Sequence, residues 1–302
     1  MKNLEHSTET KRIHWFFNRE YLRGCLSGLK ELPLFSIMLL IVFVFLGVFG
    51  KFFTPHDPTW TDLNAILLPP FWIEGGNVSY LLGTDPLGRD ILSQLIAGAN
   101  VSLEVGFAVV IIAGTTGTIM ALLSGYLGGK VDAVVMRLCE IALSIPYLMV
   151  AIVLAAILGP SKENIILILI VLGWAGYARV LRGEVLRVKE GDFVRLAVIA
   201  GCSPLRIMLR HILPNIVNTI IIMSTLQLGI VIIAEASLSF LGLGVPPPTP
   251  AWGSMCAEGR NYIFDAWWIS FWPGLTIMLV VLSCNFLGDW LRIRLDPKFR
   301  QI

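Results

Sequence analysis

Hydrophobic and polar residues alternate along this chain in long blocks, and the apolar blocks have the length that crosses a membrane. A transmembrane helix needs about 20 predominantly apolar residues. Six stretches meet this requirement and predict six transmembrane helices, at 33–52, 101–124, 134–158, 164–181, 216–241 and 270–288. The third and fourth stretches contain polar interruptions. The pattern therefore predicts an all-α polytopic membrane protein.

The composition agrees with this pattern. Hydrophobic residues make up 56% of the 302 residues and charged residues only 15%. A soluble domain of this size with so few charges would lack the polar surface that it needs. The five cysteines are scattered and form no paired motif, so they indicate neither a disulfide framework nor a zinc site.

The distribution of basic residues predicts the orientation in the membrane. Six spans place both termini on the same side of the membrane. Of the 23 Lys and Arg residues, 19 lie on that side and four lie on the opposite side. Those four are Lys51, Arg89, Lys162 and Arg260. Short loops rich in Lys and Arg stay in the cytoplasm. Both termini and the loop 184–215 are therefore expected to be cytoplasmic.

The chain is thus predicted to have five parts. Residues 1–32 form a cytoplasmic tail, 33–52 the first transmembrane helix and 53–100 a periplasmic segment. Residues 101–290 form a core domain with five transmembrane helices, and 291–302 form a second cytoplasmic tail. Lys51-Phe52-Phe53 follows the first span where a signal peptide would have small residues, so this span is expected to be a retained anchor.

The first external segment contains the sequence GTDPLGRD at Gly83–Asp90. Asp85 before a proline, with a glycine three residues later, is typical of a turn. Asp90 can cap a short amphipathic helix that begins at Ile91. From these residues alone, a capped turn is the expected structure.

The second external segment, Gly242–Trp268, is rich in proline, which favours an extended chain. It also brings several tryptophans to the end of a predicted span. Tryptophans in this position are typical of a membrane-interface belt. The residues concerned are Trp252, Trp267, Trp268 and Trp272.

The fifth predicted span carries a polar stripe. At 100° per residue, Ser224, Gln227 and Glu235 fall within roughly 80° of one another. A carboxylate exposed to lipid within a span costs several kcal/mol. Glu235 is therefore expected to face a cavity, a partner or the outer interface. Two interpretations stay open: a residue that lines a translocation pathway, or one that hydrogen-bonds within the helix bundle.

The sequence contains no motif for catalysis or nucleotide binding. It has neither a G-x-x-x-x-G-K-[ST] phosphate loop nor a G-x-S-x-G nucleophile motif. The four histidines are far apart and show no metal-ligand spacing. We expect no cofactor, no bound metal and no nucleic-acid partner. Energy for transport would then come from a partner protein or an ion gradient.

The loop Gly191–Asn215 is long and basic for a connection between two spans. It reads GDFVRLAVIAGCSPLRIMLRHILPN. The pattern predicts two short helices around a turn at Gly201 and Pro204. Such a loop is typical of a surface that docks a partner.

This loop resembles the EAA loop of ABC importer permeases, in which E-A-A is followed by three residues, a glycine, nine residues and I-x-L-P. The corresponding positions here are Arg195-Leu196-Ala197, Gly201 and His211-Ile212-Leu213-Pro214. Further segments resemble the dipeptide, oligopeptide and nickel branch of that family: GTDPLGRD, EASLSFLGLG at 235–244, PPTPAWG at 247–253, NFLGD at 285–289 and LDP at 295–297. The match covers about residues 33–300 and is similar to the C-type permease, the second of two membrane subunits.

The resemblance implies a type I ABC importer permease fold with a loop that couples to an ATPase. The coupling residues would be Asp192, Phe193, Arg195, Ala197, Gly201, Cys202, Ser203, Pro204, Arg206, His211 and Pro214. The family motif on the periplasmic side would be Gly83, Thr84, Asp85, Gly88, Arg89 and Asp90. The stripe of Ser224, Gln227 and Glu235 supplies candidates for the translocation pathway.

The resemblance also implies partners and a location. The chain would form a heterodimer with a second, homologous permease subunit in the bacterial inner membrane, in contact with lipid. Two cytoplasmic ATP-binding subunits would hydrolyse ATP, so this chain would not be an enzyme. A periplasmic or lipid-anchored solute-binding protein would deliver solute to the external segments.

The implied substrates are short peptides, with nickel or another small chelate or opine-like solute as the alternative. A remoter alternative is an ion-coupled secondary transporter, which is expected to show inverted repeats and several membrane carboxylates. This chain has one candidate carboxylate and no obvious repeat.

One departure from the family pattern concerns the coupling loop. Arg195-Leu196 replaces the usual Glu-Ala, which reverses a charge on the expected docking surface. Asp192, about one helical turn earlier, can pair with Arg195. A milder departure is Asn100, where the family often has an arginine.

Overall fold

The computed structural model describes residues 33–295, which are helical apart from turns and connecting loops. The predicted tail 1–32 and the last residues of the predicted tail 291–302 lie outside the described part. The helices are α1 (Leu34–Phe49), α2 (Ile91–Leu127), α3 (Gly129–Ser144), α4 (Tyr147–Leu158), α5 (Lys162–Lys189), α6 (Asp192–Ile199), α7 (Pro204–Phe240), α8 (Trp252–Gly259) and α9 (Trp268–Leu295). Short 3₁₀ turns follow α1 at Gly50–Phe52 and α8 at Arg260–Tyr262.

The described residues confirm the all-helical prediction. Five helices, α1, α2, α5, α7 and α9, are long and apolar enough to cross a membrane. The third predicted span, 134–158, is broken into α3 and α4, which are bent by 84° and supply a sixth span if they are counted together. The bend occurs because Ile145 precedes Pro146 and adopts an extended backbone, with φ −105° and ψ 139°.

The predicted second span, 101–124, is part of a helix of 37 residues. α2 begins at Ile91, so the last ten residues of the predicted external segment belong to this helix. The Asp90 carboxylate caps it by accepting a hydrogen bond from the Ser93 backbone N–H at 3.0 Å. Ser93 and Gln94 are buried against the protein, so the added turns contain polar residues without exposing them to lipid.

Glycines let α2 pack closely against α5. A Cβ atom at Gly117 would lie 2.6 Å from the Trp174 carbonyl oxygen, and one at Gly125 would lie 2.6 Å from a methyl group of Val185. Such contact distances are possible only without a side chain, and small residues serve this purpose where no hydrophobic force drives helices together. Apolar residues of α2, α4, α5 and α7 form the main core around this pair.

Candidate functional site

The short helix α6 lies at the predicted cytoplasmic end of the bundle and is amphipathic. Val194 and Ala197, three residues apart, are buried. They pack into an apolar cluster with α2, α5 and the beginning of α7, formed by Leu122, Val185, Val188, Ile207, Met208, Ile212 and Ile216. On the other face Phe193, Leu196 and Ile199 are exposed, Ile199 to 81%. The helix is therefore anchored on one side and presents an apolar surface on the other.

The turn after α6 is a Schellman motif, which explains Gly201. The Gly201 N–H donates to the Val198 carbonyl at 3.0 Å, and the Cys202 N–H donates to the Ala197 carbonyl at 3.1 Å. This arrangement needs a left-handed residue, and Gly201 has φ +76°. Cys202 packs on the same apolar cluster as Ala197, which is the hydrophobic contact that usually accompanies the motif.

The second half of the loop is the beginning of α7. Ser203 caps this helix by accepting a hydrogen bond from the Arg206 N–H at 3.4 Å, and Pro204 occupies the first helical position. A π-helical stretch at Ile207–Ile212 then continues into the long helix that contains Pro214. The prediction of two separate short helices is thus wrong for the second one, because the π-helical stretch joins the residues after Pro204 to the long helix.

Basic residues surround the exposed apolar surface of the loop. Arg195, Arg206 and Arg210 are exposed, and His211 is half-buried. The expected pairing with Asp192 is present, with 3.9 Å between Arg195 Nη1 and Asp192 Oδ1. Both side chains are largely exposed, so this pair is weak and leaves the guanidinium able to contact an acidic residue of a partner.

The external motif is a buried polar cluster centred on Asp85. Its carboxylate accepts hydrogen bonds from the Leu87 N–H (2.8 Å), the Arg89 N–H (2.9 Å), Arg89 Nε (2.5 Å) and Gln94 Nε2 (2.9 Å). Arg89 Nη2 donates to Glu258 at 2.9 Å and so reaches α8. Burial alone would lower the pKa of Arg89, but the two carboxylates raise it; burial raises the pKa of Glu258, against the attraction of Arg89.

The remaining motif residues belong to the same buried cluster. The Trp268 indole N–H donates to the Thr84 carbonyl at 3.2 Å, which ties the motif to α9. Gly88 has φ +75°, and a Cβ atom there would lie 1.9 Å from the Asp62 carbonyl oxygen. All six motif residues are buried, including Gly83 and Asp90. They hold the external segment onto α2, α8 and α9 and expose no side chain to a docking protein.

Two of the four external tryptophans do not form an interface belt. Trp252 and Trp268 are buried, and the Trp252 indole N–H donates to the Leu95 carbonyl at 2.9 Å. The prediction was wrong for these two because their indole nitrogens bind backbone carbonyls inside the protein. Trp267 is 38% exposed.

The polar stripe of α7 does not converge on one site. Glu235 is 1% exposed and accepts hydrogen bonds from Ser239 Oγ at 2.7 Å and from Ser102 Oγ of α2 at 3.3 Å. Ser224 accepts one from the Tyr177 hydroxyl of α5 at 3.4 Å. Gln227 is half-buried, and its side chain makes no hydrogen bond to another residue of 33–295. For Glu235 this geometry favours hydrogen bonding within the bundle.

Sequence reasoning did not identify a group of charged residues between α3 and α5. Arg182 and Asp132 form a bidentate ion pair there, with 2.8 Å between Arg182 Nε and Asp132 Oδ1 and 2.5 Å between Arg182 Nη2 and Asp132 Oδ2. Glu140 and Arg179 lie on the same cleft. The signal was available, because Glu140 and Arg179 fall within the predicted third and fourth spans.

Comparison with known proteins gives consistent matches. A family model described as "Binding-protein-dependent transport system inner membrane component" matches residues 113–301. The chain is 42% identical over 278 residues to the Di/tripeptide transport system permease protein DppC of Pseudomonas aeruginosa, covering 92% of this chain and 89% of the relative. It is 41% identical to the Dipeptide transport system permease protein DppC of Haemophilus influenzae, covering 95% and 94%. The protein of that name from Bacillus subtilis is 37% identical, covering 90% and 83%.

Proposed function

The chain belongs to the family of binding-protein-dependent transport system inner membrane components, and on that premise we propose that it is the permease subunit of an ATP-driven importer of short peptides. It is a multi-pass protein of the bacterial inner membrane. The peptide substrate is supported by the names of relatives that share 37–42% of its residues over most of its length. Nickel or another small chelate is the alternative substrate.

The observation that carries the coupling proposal is the exposed apolar face of α6. Phe193, Leu196 and Ile199 project from a helix whose opposite face is anchored in the bundle. A contiguous apolar surface with a polar rim marks an interaction site. An ATPase subunit with an apolar groove and acidic residues near Arg195 would fit this surface. ATP would be hydrolysed in two such subunits and not in this chain.

The continuity of α7 supports a route for the motion. The same helix begins at the exposed loop and ends near Glu235, beyond the centre of the bundle. Displacement of the loop by the ATPase would therefore tilt α7 as a rigid body, which is how domain movements are transmitted through packed helices. For the transporter to switch between an inward-facing and an outward-facing state, ATP and the solute must each bind one of these states better than the other. A second permease subunit and a solute-binding protein complete the proposed assembly.

Uptake measurements test the substrate. A bacterial strain lacking this gene should lose uptake of a labelled dipeptide and regain it when the gene is restored. Uptake of labelled nickel is measured in the same strains for comparison. Loss of nickel uptake with unchanged dipeptide uptake would identify the alternative substrate. Uptake by membrane vesicles without ATP would contradict an ATP-driven importer.

Co-purification tests the docking surface. Ile199→Glu places a charge in the apolar face of α6 and should reduce recovery of the ATPase subunits with the permease. Phe264→Glu is a matched control, because Phe264 is 97% exposed and lies in the segment predicted to be external. Arg195→Glu should also weaken the complex if an acidic partner residue faces it. Unchanged recovery for Arg195→Glu would show that this position does not select the partner.

A further inference from the structure

A cleft of about 470 Å³ lies between α3 and α5. It is lined by Asp132, Ala133, Met136, Cys139, Glu140, Arg179, Arg182 and Gly183. Charges of both signs therefore face a space large enough for a small solute. Glu140 and Arg179 fall within the predicted spans, near their cytoplasmic ends, whereas Asp132 and Arg182 fall just outside them. Ionisable residues in such positions usually face a water-filled cavity or a substrate route.

Among the described residues, Arg179 is the cation of this cleft whose side chain has no hydrogen-bond or ion-pair partner. Within residues 33–295 its side chain makes no hydrogen bond and no ion pair, and the residue is exposed in the single chain. Arg182, one turn further along α5, is held by Asp132 through both of its bonds. Both oxygens of the Asp132 carboxylate thus accept hydrogen bonds from Arg182. The N–H groups of the Arg179 guanidinium stay available to donate to a ligand.

The surface around Arg179 is open. Gly176 and Gly183 lie three residues before it and four residues after it, on the same face of α5. A Cβ atom at either glycine would meet nothing within 4 Å. These two glycines leave space on both sides of the guanidinium, where larger side chains would restrict access.

The cleft does not lie on the apolar face of α3. Four exposed apolar residues, Val131, Val134, Leu138 and Ile141, cluster on one side of this helix, while a fifth, Leu143, lies near its end on the side of the cleft. At 100° per residue, the residues of α3 that line the cleft point about 180° away from the cluster of four. If the apolar face meets lipid or an apolar partner surface, the cleft opens towards the interior of the assembly.

We propose that this cleft is a transit site for the free carboxylate of the transported solute, with Arg179 as the cation that receives it. The planar guanidinium binds a carboxylate through two parallel hydrogen bonds. Glu140, whose exposed ion pair with Arg137 is weak, is placed to accept the ammonium group of the same zwitterion. This inference rests on the proposed import of peptides, which carry both groups.

The test uses the complete transporter, with its partner subunits and binding protein, in proteoliposomes. Two activities are measured: uptake of a labelled dipeptide, and ATP hydrolysis stimulated by the peptide-loaded binding protein. The variants are Arg179→Gln and Arg179→Lys. Arg187→Gln is the matched control, because Arg187 lies on the same helix, is exposed, and pairs with Glu184 one turn away.

Arg179→Gln should lower dipeptide uptake by about tenfold or more, the effect of losing a hydrogen-bonded charge, while ATP hydrolysis stays within about twofold. Arg179→Lys should retain most of the uptake, and Arg187→Gln should resemble the wild type. Normal uptake by Arg179→Gln would overturn the proposal. A parallel loss of uptake and hydrolysis would overturn it too, because Arg179 would then serve assembly or gating. A wild-type transporter that imports no dipeptide would instead refute the proposed function.

Discussion

Asp85→Asn tests how the external segment is held on the helices. The carboxylate of Asp85 accepts two backbone N–H groups on Oδ1 and the side chains of Arg89 and Gln94 on Oδ2. An asparagine oxygen can replace Oδ1. Its NH₂ group would then stand where Oδ2 was, and this donor group cannot accept the hydrogen bonds of Arg89 and Gln94. The change therefore keeps the size of the side chain and removes only its charge and half of its accepting capacity.

The expected cost follows from the burial of the pair. Asp85 is 1% exposed and Arg89 7% exposed, and breaking a buried ion pair costs about 3–5 kcal/mol. Arg89 keeps its bond to the partly exposed Glu258, so a value near the lower end, about 3 kcal/mol, is expected. Asp192→Asn is the matched control. Its pair with Arg195 is long and exposed, so the same chemical change should cost less than about 1 kcal/mol.

Thermal unfolding of the purified protein, followed by tryptophan fluorescence, measures both variants. Trp268 is bonded to the backbone next to Asp85 and should report the loss of this contact. Adding Arg89→Gln to Asp85→Asn removes the buried charge that has lost its partner, so the double variant should be less destabilised than the sum of the two single variants. Equal destabilisation by Asp85→Asn and Asp192→Asn would refute the reasoning.

Three further predictions concern the backbone conformation at Gly201, the close packing at Gly117 and the buried carboxylate of Glu235. Gly201→Ala should reduce ATPase co-purification, because a left-handed alanine costs about 1–2 kcal/mol; Gly274→Ala, where a Cβ atom would meet nothing within 4 Å, should not. Gly117→Val should lower thermal stability by about 1–3 kcal/mol through contact with the Trp174 carbonyl, and unchanged unfolding would contradict the packing of α2 on α5. Glu235→Ala should cost about 1–3 kcal/mol by leaving two serine hydroxyls without an acceptor, whereas Glu235→Gln should cost less; equal melting temperatures for the two would count against this role.

The local signals in the sequence predicted local structure well. Asp90 caps a helix as expected, and α6 ends at the glycine turn. The predictions failed where a helix continued beyond its apolar stretch. α2 extends ten residues outward because Ser93 and Gln94 are buried by other parts of the protein, which hydropathy along one segment does not register.

The charged cleft shows a different limit. Glu140 and Arg179 are separated by 39 positions in the sequence, and each appeared only as a polar interruption in an apolar stretch. Their common placement depends on how α3 packs against α5. A pattern within one helix indicates which face is polar, but it does not indicate which other polar face it meets.

The sequence by itself determined the helical class, most of the apolar spans and the basic loop that resembles a coupling element. These follow from hydropathy, charge and turn residues, which act over one or two helical turns. Only the tertiary structure decided that Asp85 and Arg89 form a buried support and that Arg89 reaches Glu258, 169 residues away. The physical reason is that burial and pairing of charges depend on neighbours brought together by packing.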